Sequence, residues 1–215
     1  MTIAPISQEN TAVLAEFVGG ETPQVAMMIG IGTVKDSDAV FFQYLGEEQQ
    51  PVALLYPSSG KPITRMANVK LAGISVAEEI GEFNATKLNL FLESSAGKTI
   101  MLTSGLSTIW SQCVLTGLMG LYDTGNIEYA FQLDTWKGTS KMRPCFAAIR
   151  SGDLKMSNQD LYEQLGEARS IRNKDARAKK VEAIMRDSVS ILSALISPEQ
   201  VEVSVEEPVV VKEDF

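Results

Sequence analysis

Thr86 to Gly105 reads TKLNLFLESSAGKTIMLTSG, and its alternation sets the character of the chain. Lys87, Leu88, Asn89, Leu90, Phe91 and Leu92 come close to a period of two, the spacing of a strand with one apolar face. SSAGKT then supplies a turn into a second short strand over Thr99 to Leu102, so the stretch predicts a β-hairpin.

Strand signals continue on both sides of it. PQVAMMIGIG is an apolar run bounded by Pro and Gly, DAVFFQYLG is aromatic and β-rich, and QPVALLYPSSGKP ends in a Pro-Ser-Ser-Gly turn. ANVKLAGISVAEEI precedes the hairpin; NIEYAFQLD and RPCFAAIRSG follow at a distance. Leu106 to Leu121 differs, because Ile109, Cys113, Leu115, Leu118, Met119 and Tyr122 include i, i+3 and i+4 neighbours. Ser107 or Thr108 caps it and DTGN stops it, giving one buried helix between strands with Trp110 in the core.

Beyond Gly152 good helix formers dominate. Ser157 or Asn158 opens the segment, and Leu161, Leu165, Val181, Ile184, Met185, Val189, Leu192 and Ile196 repeat at helical spacing, with Gly166 as the expected break. Pro198 ends the helix; the Val and Glu alternation that follows has no partner strand in sight and reads as a flexible acidic tail. The expected organisation is an N-terminal arm (1–22), a β-domain (23–152), a helical segment (153–197) and the tail (198–215). The apolar stripe of the last helix packs on the β-domain or on a second copy, so a homo-oligomer is in prospect.

Composition narrows the function. The chain's 215 residues suffice for a core, and 45% hydrophobic with 21% charged residues is ordinary for a globular protein. No apolar run approaches the roughly 20 residues that span a bilayer, and MTIAPISQEN lacks the marks of a signal peptide, so no membrane partner and a cytoplasmic setting are expected. There is no histidine, and Cys113 and Cys145 lack CxxC spacing and read as buried thiols. Glu78, Glu79 and Glu82 have no nucleophile or metal pattern behind them. GIGTVKD and SSAGKT fall short of dinucleotide and phosphate-loop motifs. The expectation is a non-enzymatic protein without cofactor or metal.

The net charge of −8 is unevenly spread: −6 over residues 1–60, +2 over 61–150, +1 over 151–197 and −5 over 198–215. RSIRNKDARAKK, Arg169 to Lys180, is a basic block in which Arg172 and Arg177 are candidate phosphate contacts; the bland alternative is a solvated helix face.

About five to seven strands with one helix before the last of them suit a mainly β fold with α: an OB-like, partly open barrel with one inserted helix, followed by a helical C-terminal segment and the disordered tail. Sandwich and SH3-like arrangements stay open. OB barrels commonly bind single-stranded nucleic acid through a basic groove and aromatic platforms. The candidates here are Phe41, Phe42 and Tyr44 on the second strand, where the adjacent pair Phe41 and Phe42 is split between the two faces and either could be the exposed one, and Tyr56 beside Lys61 and Arg65. Trp136, Lys137, Lys141 and Arg143 of DTWKGTSKMRP join them, read as a connection between strands in which Trp136 either stacks on bases or lids the barrel.

The stretch EEPVVVKEDF, with Glu206, Glu207, Glu213, Asp214 and a last Phe215, completes a layout that resembles the single-stranded-DNA-binding proteins of bacteria and lytic phages. The helical linker and Lys212 place the resemblance nearer phage or plasmid types. It implies binding and protection of single-stranded DNA in replication or recombination. It also implies recruitment of replication or recombination proteins, Glu213 and Asp214 meeting a basic rim while Phe215 fills an apolar pocket. The alternative is a protein-interaction or assembly factor that binds no nucleic acid.

Overall fold

The structure, a computed structural model, describes residues 27–35, 37–45, 50–80 and 85–196. The expected N-terminal arm and acidic tail, and with them Glu213, Asp214 and Phe215, lie outside the described residues. The strands are β1 (Met27–Ile31), β2 (Phe41–Leu45), β3 (Gln50–Ala53), β4 (Arg65–Ile80), β5 (Ala85–Glu93), β6 (Thr99–Gly105), β7 (Phe131–Lys137), β8 (Cys145–Ser151) and β9 (Leu154–Lys155). The helices are α1 (Ile109–Asp123), α2 (Gln159–Ser170) and α3 (Lys174–Leu195).

Among the described residues the strands form one nine-stranded open sheet, ordered β3-β2-β1-β6-β5-β4-β7-β8-β9. The fold is thus mixed α and β, with more strands than the five to seven expected. Every pairing is antiparallel except that of β1 with β6. The expected hairpin is β5–β6: Leu88, Leu90 and Leu92 face Ile100, Leu102 and Ser104 inward, and Gly97 turns the chain at φ 77°.

β4 serves two ladders. Its first residues pair with β7 and its later ones, from Lys70, with β5. A bulge between Met66 and Val69, where Asn68 takes φ 56°, marks the change. Asparagine tolerates that left-handed conformation, and a bulge increases the local twist, so β4 bends the sheet at this point.

The side-chain oxygen of Thr108 accepts from Ser111 N at 3.2 Å and starts α1, as expected. Gly117 and Gly120 let this helix lie close to its neighbours: a Cβ at 117 would sit 2.6 Å from Ile149 Cγ1, and one at 120 would sit 2.5 Å from Ser157 N. Trp110 is in the core. The helical segment breaks later than expected. Gly166 stays inside α2, and the chain leaves the helix at Ile171 because Asn173 caps α3 by accepting from Ala176 N at 2.9 Å. Leu161, Leu165, Val181, Ile184, Met185, Val189 and Leu192 join the apolar residues of the sheet and α1 in one core. Among the described residues no helix is long and apolar enough to cross a membrane.

Candidate functional site

Strand alternation, applied to the sheet's outer face, assembles a feature that the linear reading missed. Since Leu88, Leu90 and Leu92 of β5 point inward, Lys87, Asn89 and Phe91 point outward. Phe91 lies opposite Met101 of β6, Met101 opposite Met28 of β1, and on the other side Phe91 lies opposite Gly73 of β4. The Phe91 ring rests on Gly73, where a Cβ would stand 3.2 Å from the ring's Cδ2. The next row of the same face holds Gly30, Thr103, Asn89 and Ser75.

A second phenylalanine repeats the arrangement: Phe42 lies opposite Gly30 and over it. Two residues along β2, Tyr44 meets Phe42 edge-on with centroids 5.2 Å apart and is 51% exposed. Met28 is 51% exposed as well. Tyr44, Met28, Met101 and Phe91 therefore make an apolar stripe across β2, β1, β6 and β5, flanked by hydroxyl and amide groups and by Lys87 and Lys70.

Several expected site residues gather elsewhere, at the β7–β8 end. Trp136 is on strand β7 and not in the connection; it is 43% exposed, and its inner side stacks on Phe146, centroids 6.0 Å apart and planes 16° apart. Lys137 is also a strand residue, and its Nζ donates to Ser37 O at 2.6 Å. Burial pulls its ammonium below the ordinary value, and the charge of Arg143 adds to that. Arg143 is ion-paired with Asp38, whose carboxyl is held low by that hydrogen bond. Two of the bases assigned to a DNA groove thus tie the end of β7 and the β7–β8 connection to the β1–β2 loop, while Lys141 is exposed. Cys145, at the start of β8, is half-buried; burial pushes its thiol up, against Lys137 and a hydrogen bond with Thr33. Cys113 is half-buried too, so neither thiol is as enclosed as the sequence suggested.

Arg65 and Tyr56 belong to the same region. The Arg65 Nε donates to Asp134 Oδ1 at 2.7 Å, and the Arg150 Nε to Oδ2 at 3.0 Å. Tyr56 is close enough to act on the Arg65 charge, and Lys61 is exposed on the turn that Tyr56 opens. Phe42 is buried in a small cluster with Val34, Ala39 and Ala53, and Phe41 is in the main core, so the exposed aromatic of β2 is Tyr44. Arg172 and Arg177 are on the α2–α3 connection and the start of α3, where Arg177 Nη1 donates to Ile171 O at 3.5 Å.

Among the described residues no three Cys, Asp or Glu side chains gather closely enough to hold a metal ion. Glu78 is bound by Arg186, which also bonds Glu182.

Asp134 gives the sheet a pH-dependent fastening. Burial, the largest single influence, raises its pKa, but the hydrogen bonds from Arg65, Gln132 and Arg150 together outweigh it and hold the carboxyl below the usual range. A folded pKa below the unfolded one, about 3.9, stabilises the fold above that value and loses its effect as the pH falls through the folded pKa. Thermal melts should therefore show the midpoint advantage of the native chain over Asp134→Asn at neutral pH and see it shrink as the pH drops below about 4.

In comparisons with known proteins, no family model matches the chain, no curated protein matches its sequence, and no solved structure matches its fold.

Proposed function

We propose that the chain binds single-stranded nucleic acid, DNA in the first instance, along the stripe of Tyr44, Met28, Met101 and Phe91. The observation that carries this reading is an aromatic and thioether band laid across four strands, exposed at Tyr44 and Met28 and half-buried at Met101 and Phe91, and bordered by Asn89, Thr103, Lys87 and Lys70. Every base has a π-face, so such a band accepts bases without choosing among them, and lysines beside it meet the phosphates. The connectivity β4-β5-β6-α1-β7-β8 supports it, being five strands with a helix between the third and fourth. That is the order of an OB-like unit, whose second and third strands, here β5 and β6, carry the ligand face. Trp136 and Lys141, at the β7–β8 end, are a separate exposed aromatic and base in the same proposal, and the role is protection of DNA in replication or recombination, with Glu213, Asp214 and Phe215 recruiting partner proteins.

A protein-binding reading of the same stripe draws on one observation: Lys137, Arg143 and Arg65 are engaged within the fold, which leaves the face only modestly basic. Salt separates the two. Fluorescence anisotropy of a labelled oligothymidine should show binding that weakens steeply between low and moderate salt as counterion release is lost. Absence of binding at low salt would leave the stripe to a protein partner.

A further inference from the structure

α1 is pressed against its neighbours at Gly117 and Gly120, where a Cβ would collide with Ile149 and with the backbone of Ser157. Nearer the start of the helix a cavity of about 530 Å³ opens between α1, β8, Met156 and α2. That is the size of a small-molecule site, roughly 300–1,000 Å³. Ile109, Cys113 and Thr116 make its α1 wall, the Thr116 hydroxyl donating back to Gln112 O at 2.7 Å, and Ala147, Ala148 and Met156 continue the apolar lining.

The charge of this cavity is one-sided. Lys155 and Arg169 line it and no Asp or Glu does; among the described residues neither cation has an ion-pair partner, whereas Arg65, Arg143, Arg150 and Arg186 each have one. A neutral group positions Arg169 instead. Its Nε and Nη2 both donate to Gln112 Oε1, at 2.9 and 2.6 Å, and Gln112 Nε2 donates in turn to Ser107 O at 2.8 Å. Gln112 is 5% exposed, so the guanidinium is anchored from the core while its charge is left uncancelled. The remaining edge of the fork, Nη1 with the second proton of Nη2, matches the two oxygens of a carboxylate.

We infer that this cavity binds a small organic acid, with its apolar body against Ile109, Cys113 and Met156 and its carboxylate on Arg169, Lys155 being the second cation of the site. The apolar lining gives affinity without direction, and the anchored guanidinium fixes which end of the ligand lies where. A neutral amphiphile would leave both cations unanswered, and an amine would meet two like charges. The site is independent of the nucleic-acid reading: α1 packs with Leu88, Leu90 and Leu92 on the inner face of the sheet, and the stripe of Phe91 and Met101 lies on the outer face.

Cys113 makes occupancy readable, because it lines the cavity while Cys145, half-buried like it, does not. On the full chain, iodoacetamide alkylation is followed at each cysteine by mass spectrometry in the presence of octanoate, hexanoate, 1-octanol or octylamine. Octanoate should slow alkylation of Cys113 and leave Cys145 unchanged, at a half-protection concentration about tenfold or more below that of octanol, as a hydrogen-bonded charge requires. Octylamine should protect least, and hexanoate, two methylenes shorter, should bind about 5- to 15-fold more weakly than octanoate. Arg169→Gln, which keeps an N–H donor for Gln112 Oε1, should bring octanoate to the level of octanol. Octanol protecting Cys113 as well as octanoate does in the native chain would overturn the assignment without recourse to a variant. So would octanoate binding that leaves Cys113 unprotected, slowing of both cysteines alike, or full protection by octanoate in a folded Arg169→Gln chain.

Discussion

Phe91→Ala is expected to weaken oligothymidine binding by roughly 5- to 150-fold, the equivalent of the ~1–3 kcal/mol that one base-stacking aromatic contributes. Its position makes the change informative. Phe91 is half-buried on the outer face with its ring on Gly73, and the core side of β5 is held by Leu88, Leu90 and Leu92, which the substitution leaves alone. Far-UV circular dichroism should stay native. Phe91→Leu, which keeps apolar area and discards the π-face, should bind nearly as weakly as the alanine variant, and Phe91→Trp should bind close to the native level. If leucine serves as well as phenylalanine, the contact is a general apolar one and stacking is ruled out. The matching change at Tyr44, 51% exposed, should reduce affinity in the same direction.

Gly120→Ala should cost about 2–3 kcal/mol of stability, although alanine is the better helix former by ~1 kcal/mol. A methyl group there would stand 2.5 Å from Ser157 N, 2.7 Å from Ser157 C and 2.9 Å from Ser157 Cα. Backbone cannot swing aside as the end of a side chain can, and Ser157 is fixed by Asn158, whose N donates to Thr116 O at 2.9 Å and which caps α2. The clash therefore moves α1 off β8 or α2 off α1, and the melting midpoint should fall by roughly 5–10 °C for a chain of this size. Gly166 supplies the control. It lies in α2 with nothing within 4 Å of a built Cβ, so Gly166→Ala should be neutral or raise stability by up to about 1 kcal/mol. A destabilised Gly166→Ala together with a tolerant Gly120→Ala would contradict the packing described.

How much of this was legible beforehand varies with the range of the interaction involved. The β5–β6 hairpin was, because alternation and turn chemistry act within twenty residues, and α1 was legible down to its Thr108 cap. The break between α2 and α3 was misplaced at Gly166. A glycine weakens a helix but does not end one, whereas Asn173 offers a competing cap. The candidate site was harder. Trp136 looked like a loop residue because Lys137, Gly138 and Thr139 follow it, yet the ladder with Phe146 keeps it on β7. That Lys137 and Arg143 would be taken up by Ser37 and Asp38, some hundred residues away, has no local signature. The stripe needed only the parity of KLNLFLE to expose Phe91. Its joining to Met101, Met28 and Tyr44 needed the β1–β6 register, which no short-range pattern encodes.

That register also sets the order of events in folding. Met27 pairs with Ile100 across most of half the chain, while β5 finds β6 over a five-residue turn, so closing the β1–β6 ladder carries the larger loop entropy. The unit β1–β3 should then dock late onto a preformed β4–β6 meander. In stopped-flow refolding, Ile29→Val should leave the folding rate nearly unchanged and speed unfolding, while Leu90→Ala should slow folding itself. The apolar stripe, which straddles the boundary between the early and late parts, comes into being only with the last step of assembly.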